Sequence, residues 1–163
     1  DCLLSRGLGD VYKRQLRHGE AEAPRTNDAR RTLTAHGRDE VRASAALLAD
    51  SPLQAILASP YVRTQQTAEL VATQVEFRGV IENATWLTPD SDLREVLDHL
   101  SERGEDELLL VTHQPLVGAL AGLLVHGHRQ QPLPMSTASL AVLSGDMPLA
   151  GAMRLVSLTH PQA

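Results

Sequence analysis

The sequence predicts a single α/β domain in which a mostly parallel β-sheet lies between two layers of helices. Short apolar segments alternate along the chain with longer segments of helical periodicity. The two clearest apolar segments have no polar interruption, as in strands that are buried on both faces. The chain has 163 residues, which suffices for one core that buries roughly two thirds of the unfolded surface.

The apolar segments predict the strands of the sheet. Ala55–Ser59 and Leu108–Thr112 are short and continuous, and each is followed by polar residues that suit a ligand site at the carboxyl edge of a parallel sheet. Ser139–Leu143 and Met153–Leu158 lie on either side of a stretch that contains glycine and proline, Gly145–Gly151. This arrangement predicts a two-stranded antiparallel finish.

Apolar residues at helical spacing predict four amphipathic helices. Their apolar stripes are Val41, Ala45 and Leu48; Thr67, Leu70, Val71 and Val75; Leu93, Val96, Leu97 and Leu100; and Leu116, Leu120, Leu123 and Leu124. Thr34 is expected to cap the first helix and Ser91 the third. Pro115 suits the first turn of the fourth helix, and Gly104 is expected to end the third.

The segment Asp1–Gln15 departs from this pattern. A buried first strand should be apolar, yet this stretch is polar and interrupted by glycines, and only Val11 and Leu16 suit a central strand. The chain also does not start with methionine. We therefore treat residues 1–15 as an anomalous N-terminal segment of doubtful native origin, with a doubtful first strand, and residues 16–163 as the single domain.

Composition argues against several classes of function. The formal net charge of -5 does not favour broad binding to nucleic acid or to an anionic membrane, and aromatic residues, which could stack on bases, make up only 2% of the chain. The single cysteine, Cys2, cannot form an internal disulfide. No apolar segment approaches the ~20 residues that span a bilayer. We expect a cytoplasmic monomer whose partners are neither nucleic acid nor membrane.

Cationic side chains stand beside three of the predicted strands. Arg17 and His18 lie near the start of the domain. Arg63 follows the predicted strand Ala55–Ser59, and His113 follows the predicted strand Leu108–Thr112. Arginine binds phosphate oxygens in a bidentate manner, and a neutral imidazole can attack phosphorus to form a covalent intermediate. His18 is therefore the candidate nucleophile. Arg17 and Arg63 are candidate phosphate clamps, and His113, in its cationic form, is the fourth phosphate contact.

Five motifs in order along the chain resemble those of the histidine phosphatase superfamily, and within it the small protein phosphohistidine phosphatases of the SixA type. The motifs are Leu16–Glu20, Arg31–Gly37, Ser59–Thr67, Leu87–Pro89 and Thr112–Gly118. The resemblance runs from Leu16 to about Leu158 and implies a phosphoglycerate-mutase-like fold. It implies that His18 is phosphorylated in turnover, that Arg17, Arg63 and His113 bind the phosphoryl group, and that no metal or other cofactor is needed. The implied substrate is a phosphohistidine on a protein, such as a histidine phosphotransfer domain in two-component signal transduction.

The lack of an acid motif favours phosphohistidine over a phosphate ester. An alkoxide leaving group needs a proton donor, whereas imidazole, with a conjugate-acid pKa of about 6.5, leaves with less help. The resemblance implies that ester-hydrolysing relatives use an Asp directly after the second histidine, where this chain has Gln114, or a Glu in the middle segment. The acids available there fit no ester-hydrolase motif; they are Glu82, Asp90, Asp92 and Glu95. The short interval Gln74–Glu107 also lacks the insertion of larger relatives that act on phosphosugars.

Two alternatives stay open. One is a phosphatase of the same superfamily that acts on a small phosphomonoester and takes its acid from the region Glu82–Glu95. The other is a non-catalytic module that binds phosphate or phosphohistidine, which the anomalous segment before His18 suggests. Some other polar residues are more simply interpreted as solvated loop residues; these are Glu20, Arg30, Arg31, His126 and His128.

Overall fold

A mixed six-stranded β-sheet forms the centre of the protein. The computed structural model describes residues 11–24 and 27–161, so the first ten residues of the anomalous segment lie outside the described part of the chain. The strands are β1 (Val11–Arg17), β2 (Ala55–Ala58), β3 (Ile81–Asn83), β4 (Glu107–Thr112), β5 (Leu140–Gly145) and β6 (Met153–Thr159). In the order β3-β2-β4-β1-β5-β6, the first four strands are mutually parallel and β5 is antiparallel to both neighbours. The predicted mostly parallel sheet with an antiparallel finish is confirmed.

Four helices pack against the sheet, as the apolar spacing predicts. They are α1 (Ala35–Ala46), α2 (Val62–Gln74), α3 (Leu93–Ser101) and α4 (Leu116–His126). Thr34 caps α1, because its Oγ1 accepts a hydrogen bond from the Gly37 N–H at 2.9 Å. Pro115 stands immediately before the first residue of α4, where its missing N–H costs no helical hydrogen bond.

Two predicted boundaries of α3 are wrong. Asp92, not Ser91, caps the helix, because its carboxylate accepts a hydrogen bond from the Arg94 N–H at 3.1 Å. A carboxylate at this position also interacts favourably with the positive end of the helix dipole. The helix ends at Ser101, so Gly104 lies beyond the helix and does not terminate it.

Alternating side chains of the central strands enter two separate cores. Leu108 and Leu110 of β4 pack with α3 and α4, whereas Leu109 and Val111 pack with α1 and α2. All four side chains are shielded from solvent, and each buried aliphatic side chain contributes about 1.5–3 kcal/mol to folding. The predicted three-layer sandwich is confirmed. Within residues 11–24 and 27–161, no helix is both long and apolar enough to cross a bilayer.

β1 occupies the middle of the sheet although its sequence is polar. It pairs with β4 on one side and β5 on the other, which satisfies its backbone groups. Lys13 is buried and donates to the Glu105 carbonyl at 2.8 Å, and Arg14 forms a buried ion pair with Glu107. Desolvation lowers the pKa of Lys13. A polar strand thus stands where the sequence analysis expects an apolar one.

Gln15 is the residue of β1 whose side chain finds no polar partner among the described residues. It is fully buried, in register with Leu110 of β4 and Ala141 of β5. Neither its Oε1 nor its Nε2 atom has a hydrogen-bond partner. Leaving a buried polar group unpaired costs about 1–3 kcal/mol, so β1 folds at a cost concentrated at Gln15.

Replacing Gln15 with methionine is expected to raise the free energy of unfolding by about 1–3 kcal/mol. Methionine keeps an unbranched side chain but has no amide that needs a partner. Urea unfolding followed by circular dichroism measures the change. Gln130→Met, in an exposed loop, is the matched control and should change stability by less than about 0.5 kcal/mol. Destabilisation by Gln15→Met would contradict the prediction.

Candidate active site

The four predicted site residues converge at the carboxyl edge of the sheet. Arg17 ends β1 in register with Thr112 of β4, and the His18 N–H donates to the Thr112 carbonyl at 3.1 Å. His113 follows directly, so the rings of His18 and His113 lie edge to face with centroids 5.2 Å apart. Arg63, in the first turn of α2, has its Nε 3.2 Å from Nε2 of His18. Three segments distant in sequence therefore build one pocket.

Close backbone packing fixes the loop that carries His18. The Gly19 N–H donates to Oγ1 of Thr67 on α2 at 3.2 Å. The start of α1 packs against the same loop, where a Cβ at Gly37 would lie 2.1 Å from the Glu20 carbonyl oxygen. Only glycine permits this approach. The glycines of the first two motifs therefore help to place the imidazole.

The hydrogen bonds of His18 indicate its tautomer. Nδ1 lies 2.7 Å from the Gly19 carbonyl oxygen, a contact that requires a proton on Nδ1. Nε2 is then the unprotonated nitrogen and accepts the hydrogen bond from Nε of Arg63. Burial lowers the pKa of His18 to about 4; the positive charges of Arg63 and Arg17 act in the same direction, while the bond to Gly19 opposes them. At neutral pH, His18 is thus a neutral imidazole with its lone pair on Nε2.

Burial keeps the ring of His113 neutral, whereas the sequence analysis considers its cationic form as the phosphate contact. Its side chain is buried, and Nε2 lies 2.8 Å from Oγ of Ser59. Burial lowers the pKa of His113 to about 2, and the neighbouring His18 and Arg63 act in the same direction. When the Ser59 hydroxyl donates to Nε2, the single ring proton resides on Nδ1. His113 then offers a neutral N–H donor rather than a charge.

Two buried nitrogen atoms of this pocket have no hydrogen-bond partner among the described residues. They are Nε of Arg17 and Nδ1 of His113. The guanidinium of Arg17 is anchored elsewhere, because its Nη1 donates to the Met135 carbonyl at 2.9 Å. Buried polar groups are almost always paired in folded proteins. Nε–H of Arg17 is a free donor among the described residues, and Nδ1 of His113 is one in the tautomer given above. Both can bind a ligand oxygen, and the adjacent arginine charges favour an anion.

The guanidinium of Arg63 is held by contacts on three of its nitrogens. Nε faces His18, Nη1 donates to the Asp28 carbonyl at 2.8 Å, and Nη2 donates to the Asp28 carboxylate at 3.2 Å. The other oxygen of this carboxylate accepts a hydrogen bond from Nε of Arg31 at 2.7 Å. Arg31 is therefore partly buried and paired, rather than a solvated loop residue.

Sequence reasoning misses two residues of this pocket, Ser59 and Asp28. Ser59 belongs to the motif that contains Arg63, and its position after a buried strand is a signal that could have placed it beside His113. Asp28 lies in a polar loop without periodicity. Its contact with Arg63 spans 35 residues and leaves no local pattern.

None of the candidate acids has a hydrogen bond or ion pair to the four site residues within the described chain. Glu82 and Glu95 pair with nearby basic side chains, and Asp92 caps α3. Gln114 accepts a hydrogen bond from the Gly118 N–H at 2.8 Å, near the start of α4. An amide in this position helps to cap the helix and cannot serve as a carboxylic acid.

Potential metal ligands are sparse in the described part of the chain. It contains no group of three or more His, Cys, Asp or Glu side chains that could hold a metal ion. His126 and His128 are stacked with ring centroids 6.0 Å apart at the end of α4, but two imidazoles alone are fewer than the ligands of a typical zinc site.

Comparison with known proteins relates this geometry to a family. The model of the histidine phosphatase superfamily (branch 1) matches residues 15–88. Over 143 residues the chain is 33% identical to a Haemophilus influenzae protein named phosphohistidine phosphatase SixA homolog, with 80% of this chain and 86% of the relative covered. The chain belongs to the histidine phosphatase superfamily.

Two further comparisons support the SixA type within the superfamily. Phosphohistidine phosphatase SixA of Escherichia coli (strain K12) is 32% identical over 136 residues, with 80% of this chain and 83% of the relative covered. The structure of the protein histidine phosphatase SixA complexed with tungstate has a TM-score of 0.83 and 29% identity, with 93% of this chain and 97% of that chain covered. The family and fold class that the motifs predict are confirmed.

The imidazole of His18 is expected to stay neutral through pH 6, because its pKa is lowered to about 4. The neutral form should be lost only as the pH falls through that value. Nitrogen-15 spectra of histidine-labelled protein report ring protonation, and His18→Ala assigns the resonance. Titration of His18 near its ordinary value of 6.5 would contradict the prediction.

Proposed function

We propose that the protein is a phosphohistidine phosphatase that acts through a covalent phosphoenzyme at His18. The observation that carries the proposal is the neutral, buried imidazole whose Nε2 lone pair faces Arg63. Nε of Arg17 and Nδ1 of His113, which have no partner among the described residues, supply contacts for phosphoryl oxygens. Relatives named phosphohistidine phosphatase SixA support the reaction, and a solved SixA structure complexed with tungstate, an oxyanion like phosphate, supports the ligand class.

In the first step, Nε2 of His18 attacks the phosphorus of a phosphohistidine. A new N–P bond forms while the bond to the substrate ring breaks, and the electron pair stays on the leaving nitrogen. A proton on the other nitrogen of the substrate ring, taken up from water, makes the leaving group a neutral imidazole. Arg63 releases Nε2 and binds a phosphoryl oxygen instead. The donors of Arg17 and His113 stabilise the charge on the remaining oxygens in the transition state.

In the second step, water attacks the phosphorus and the bond to Nε2 of His18 breaks. The electron pair returns to Nε2, and the water oxygen stays on phosphorus as inorganic phosphate while one water proton passes to solvent. Nδ1 keeps its proton throughout, because the Gly19 carbonyl accepts it. His18 therefore leaves as a neutral imidazole, and this step needs no protein acid.

The chemistry of the leaving group supports an N–P substrate over an ester. An alkoxide must be protonated as it departs, whereas imidazole departs more readily. The carboxylate nearest to Arg63 within the described chain is Asp28, and it is unsuited as an acid. Although partial desolvation opposes the effect, hydrogen bonds and charges from Arg31 and Arg63 lower the pKa of Asp28. It is therefore ionised at neutral pH.

The substrate in this proposal is a histidine-phosphorylated protein, such as a phosphotransfer domain of a two-component relay in the cytoplasm. The enzyme is proposed to act as a monomer and without a metal. The names of the SixA relatives support a protein phosphohistidine. The short interval between Gln74 and Glu107 also supports it, because it lacks the insertion expected of larger relatives that act on phosphosugars.

Wild-type protein is expected to become labelled when it is mixed with a radiolabelled phosphohistidine protein and quenched at alkaline pH. His18→Ala should carry no label, because the attacking nitrogen is gone, and His126→Ala, which changes an exposed histidine, is the matched control. Label on His18→Ala would contradict the proposed nucleophile. Phosphate binding without labelling of wild type would favour the non-catalytic module, and a strong preference for sugar phosphates would favour an ester phosphatase.

Arg63→Ala or His113→Ala is expected to lower kcat by about two to four orders of magnitude, since each removes a contact to charge in the transition state. Steady-state release of phosphate from the phosphohistidine protein measures the effect. Arg42→Ala is the matched control, because Arg42 forms an exposed ion pair with Asp39 on the surface of α1. Near-normal rates for the site variants would remove these residues from the mechanism.

A further inference from the structure

We infer that Asp28 is a positioning residue for Arg63 and that the rate of phosphoryl transfer depends on it. This inference rests on the proposed function but concerns a residue outside the predicted site. Asp28 lies in the short 3-10 turn Asp28–Arg30, which packs beside α2. Within the described chain, Asp28 binds Arg63 through two hydrogen bonds and forms none with His18 or His113. It interacts with His113 through charge alone, so Arg63 is the site residue that it holds in place.

Two bonds from one residue fix the plane of the Arg63 guanidinium. The Asp28 carbonyl binds Nη1 at 2.8 Å, and the Asp28 carboxylate binds Nη2 at 3.2 Å. An arginine side chain has several rotatable bonds, and a planar group held at two nitrogens keeps one orientation. In this orientation Nε points at Nε2 of His18, which is where the phosphorus must arrive.

The Asp28 carboxylate is itself held in place. Its second oxygen accepts from Nε of Arg31 at 2.7 Å, and Nη1 of Arg31 donates to the Glu22 carbonyl at 3.1 Å. A chain of hydrogen bonds thus runs from the loop backbone through Arg31 and Asp28 to Arg63. Such a support shell is what keeps an active-site group in productive geometry.

Asp28 also offsets the burial of the Arg63 charge. Arg63 is only 3% exposed, and desolvation lowers its pKa, while the Asp28 carboxylate opposes that effect. Whereas the side chain of Arg63 is buried, the Asp28 side chain is half exposed. Phosphate can bind without displacing it, because a guanidinium has five N–H groups and the described contacts use three of them.

A double-mutant cycle tests the inference. Asp28→Ala is expected to lower kcat about 10- to 100-fold with a much smaller change in KM, as misplacement of a catalytic group does. In an Arg63→Ala background, Asp28→Ala should cause no further loss, since the group that Asp28 positions is already absent. Asp28→Glu should recover part of the rate. Multiplicative losses in the double variant, or faster turnover by Asp28→Ala, would overturn the inference.

Two variants separate positioning from loss of loop order or of surface charge. Asn27→Ala removes the side chain that caps the 3-10 turn through the Ala29 N–H, and Asp39→Ala removes a carboxylate from the surface of α1. Both should keep nearly wild-type kcat. If Asn27→Ala reproduces the loss seen with Asp28→Ala, the effect belongs to the turn and the inference fails.

A spectroscopic measurement decides the inference independently of turnover. The Arg63 Nε–H resonance, assigned with Arg63→Lys, should be shifted and protected from exchange in wild type because it donates to His18. Asp28→Ala should abolish the protection, and unchanged protection would overturn the inference. Wild-type protein that shows this dependence but never acquires phosphate label would refute the proposed function while leaving the positioning role intact.

Discussion

The parallel pairing of β1 with β4 is the constraint on which the rest of the site depends. Arg17 and Thr112 are in register, so the residues that follow them, His18 and His113, leave the sheet side by side. The bond from the His18 N–H to the Thr112 carbonyl extends the ladder by one residue beyond β1. The backbone of a central sheet has little conformational freedom. The sheet therefore places the backbones of the two histidines side by side, and their ring centroids lie 5.2 Å apart.

Burial sets the protonation states of the two histidines. Desolvation and the nearby arginines keep both imidazoles neutral, with the pKa of His18 lowered to about 4. A neutral ring is required for attack on phosphorus, and a positive pocket is required to hold the dianion. The two requirements agree in the proposed mechanism, because the arginines proposed to bind phosphate also disfavour a proton on His18. Nε of Arg17 and Nδ1 of His113 have no hydrogen-bond partner within the described chain, which agrees with the proposal that a phosphoryl group binds there.

The sequence predicts the parts of this site that lie beside strong local patterns. Arg63 and His113 adjoin apolar strands or an amphipathic helix, which hydrophobic periodicity reveals without tertiary information. Arg17 and His18 adjoin the polar strand β1 and are found through their motif instead. β3 is not predicted, because Ile81–Asn83 contains one apolar residue and so has no hydrophobic pattern. The contact of Asp28 with Arg63 is not predicted, because the two residues are 35 positions apart in the sequence. The charge state of His113 depends on burial and neighbours that exist only in the folded chain.

β1 shows how topology can outweigh local preference, and where the cost falls. Lys13 and Arg14 have side chains long enough to reach Glu105 and Glu107 near the start of β4, so their charged ends find partners while their stems are buried. Gln15 has a shorter side chain and lies deeper in the sheet, and its amide stays unpaired. Leu16, directly before the catalytic segment, is apolar and fully buried. The cost of burying the Gln15 amide therefore lies outside the candidate site. It lowers the stability of the fold while the backbone that presents His18 keeps its place in the ladder.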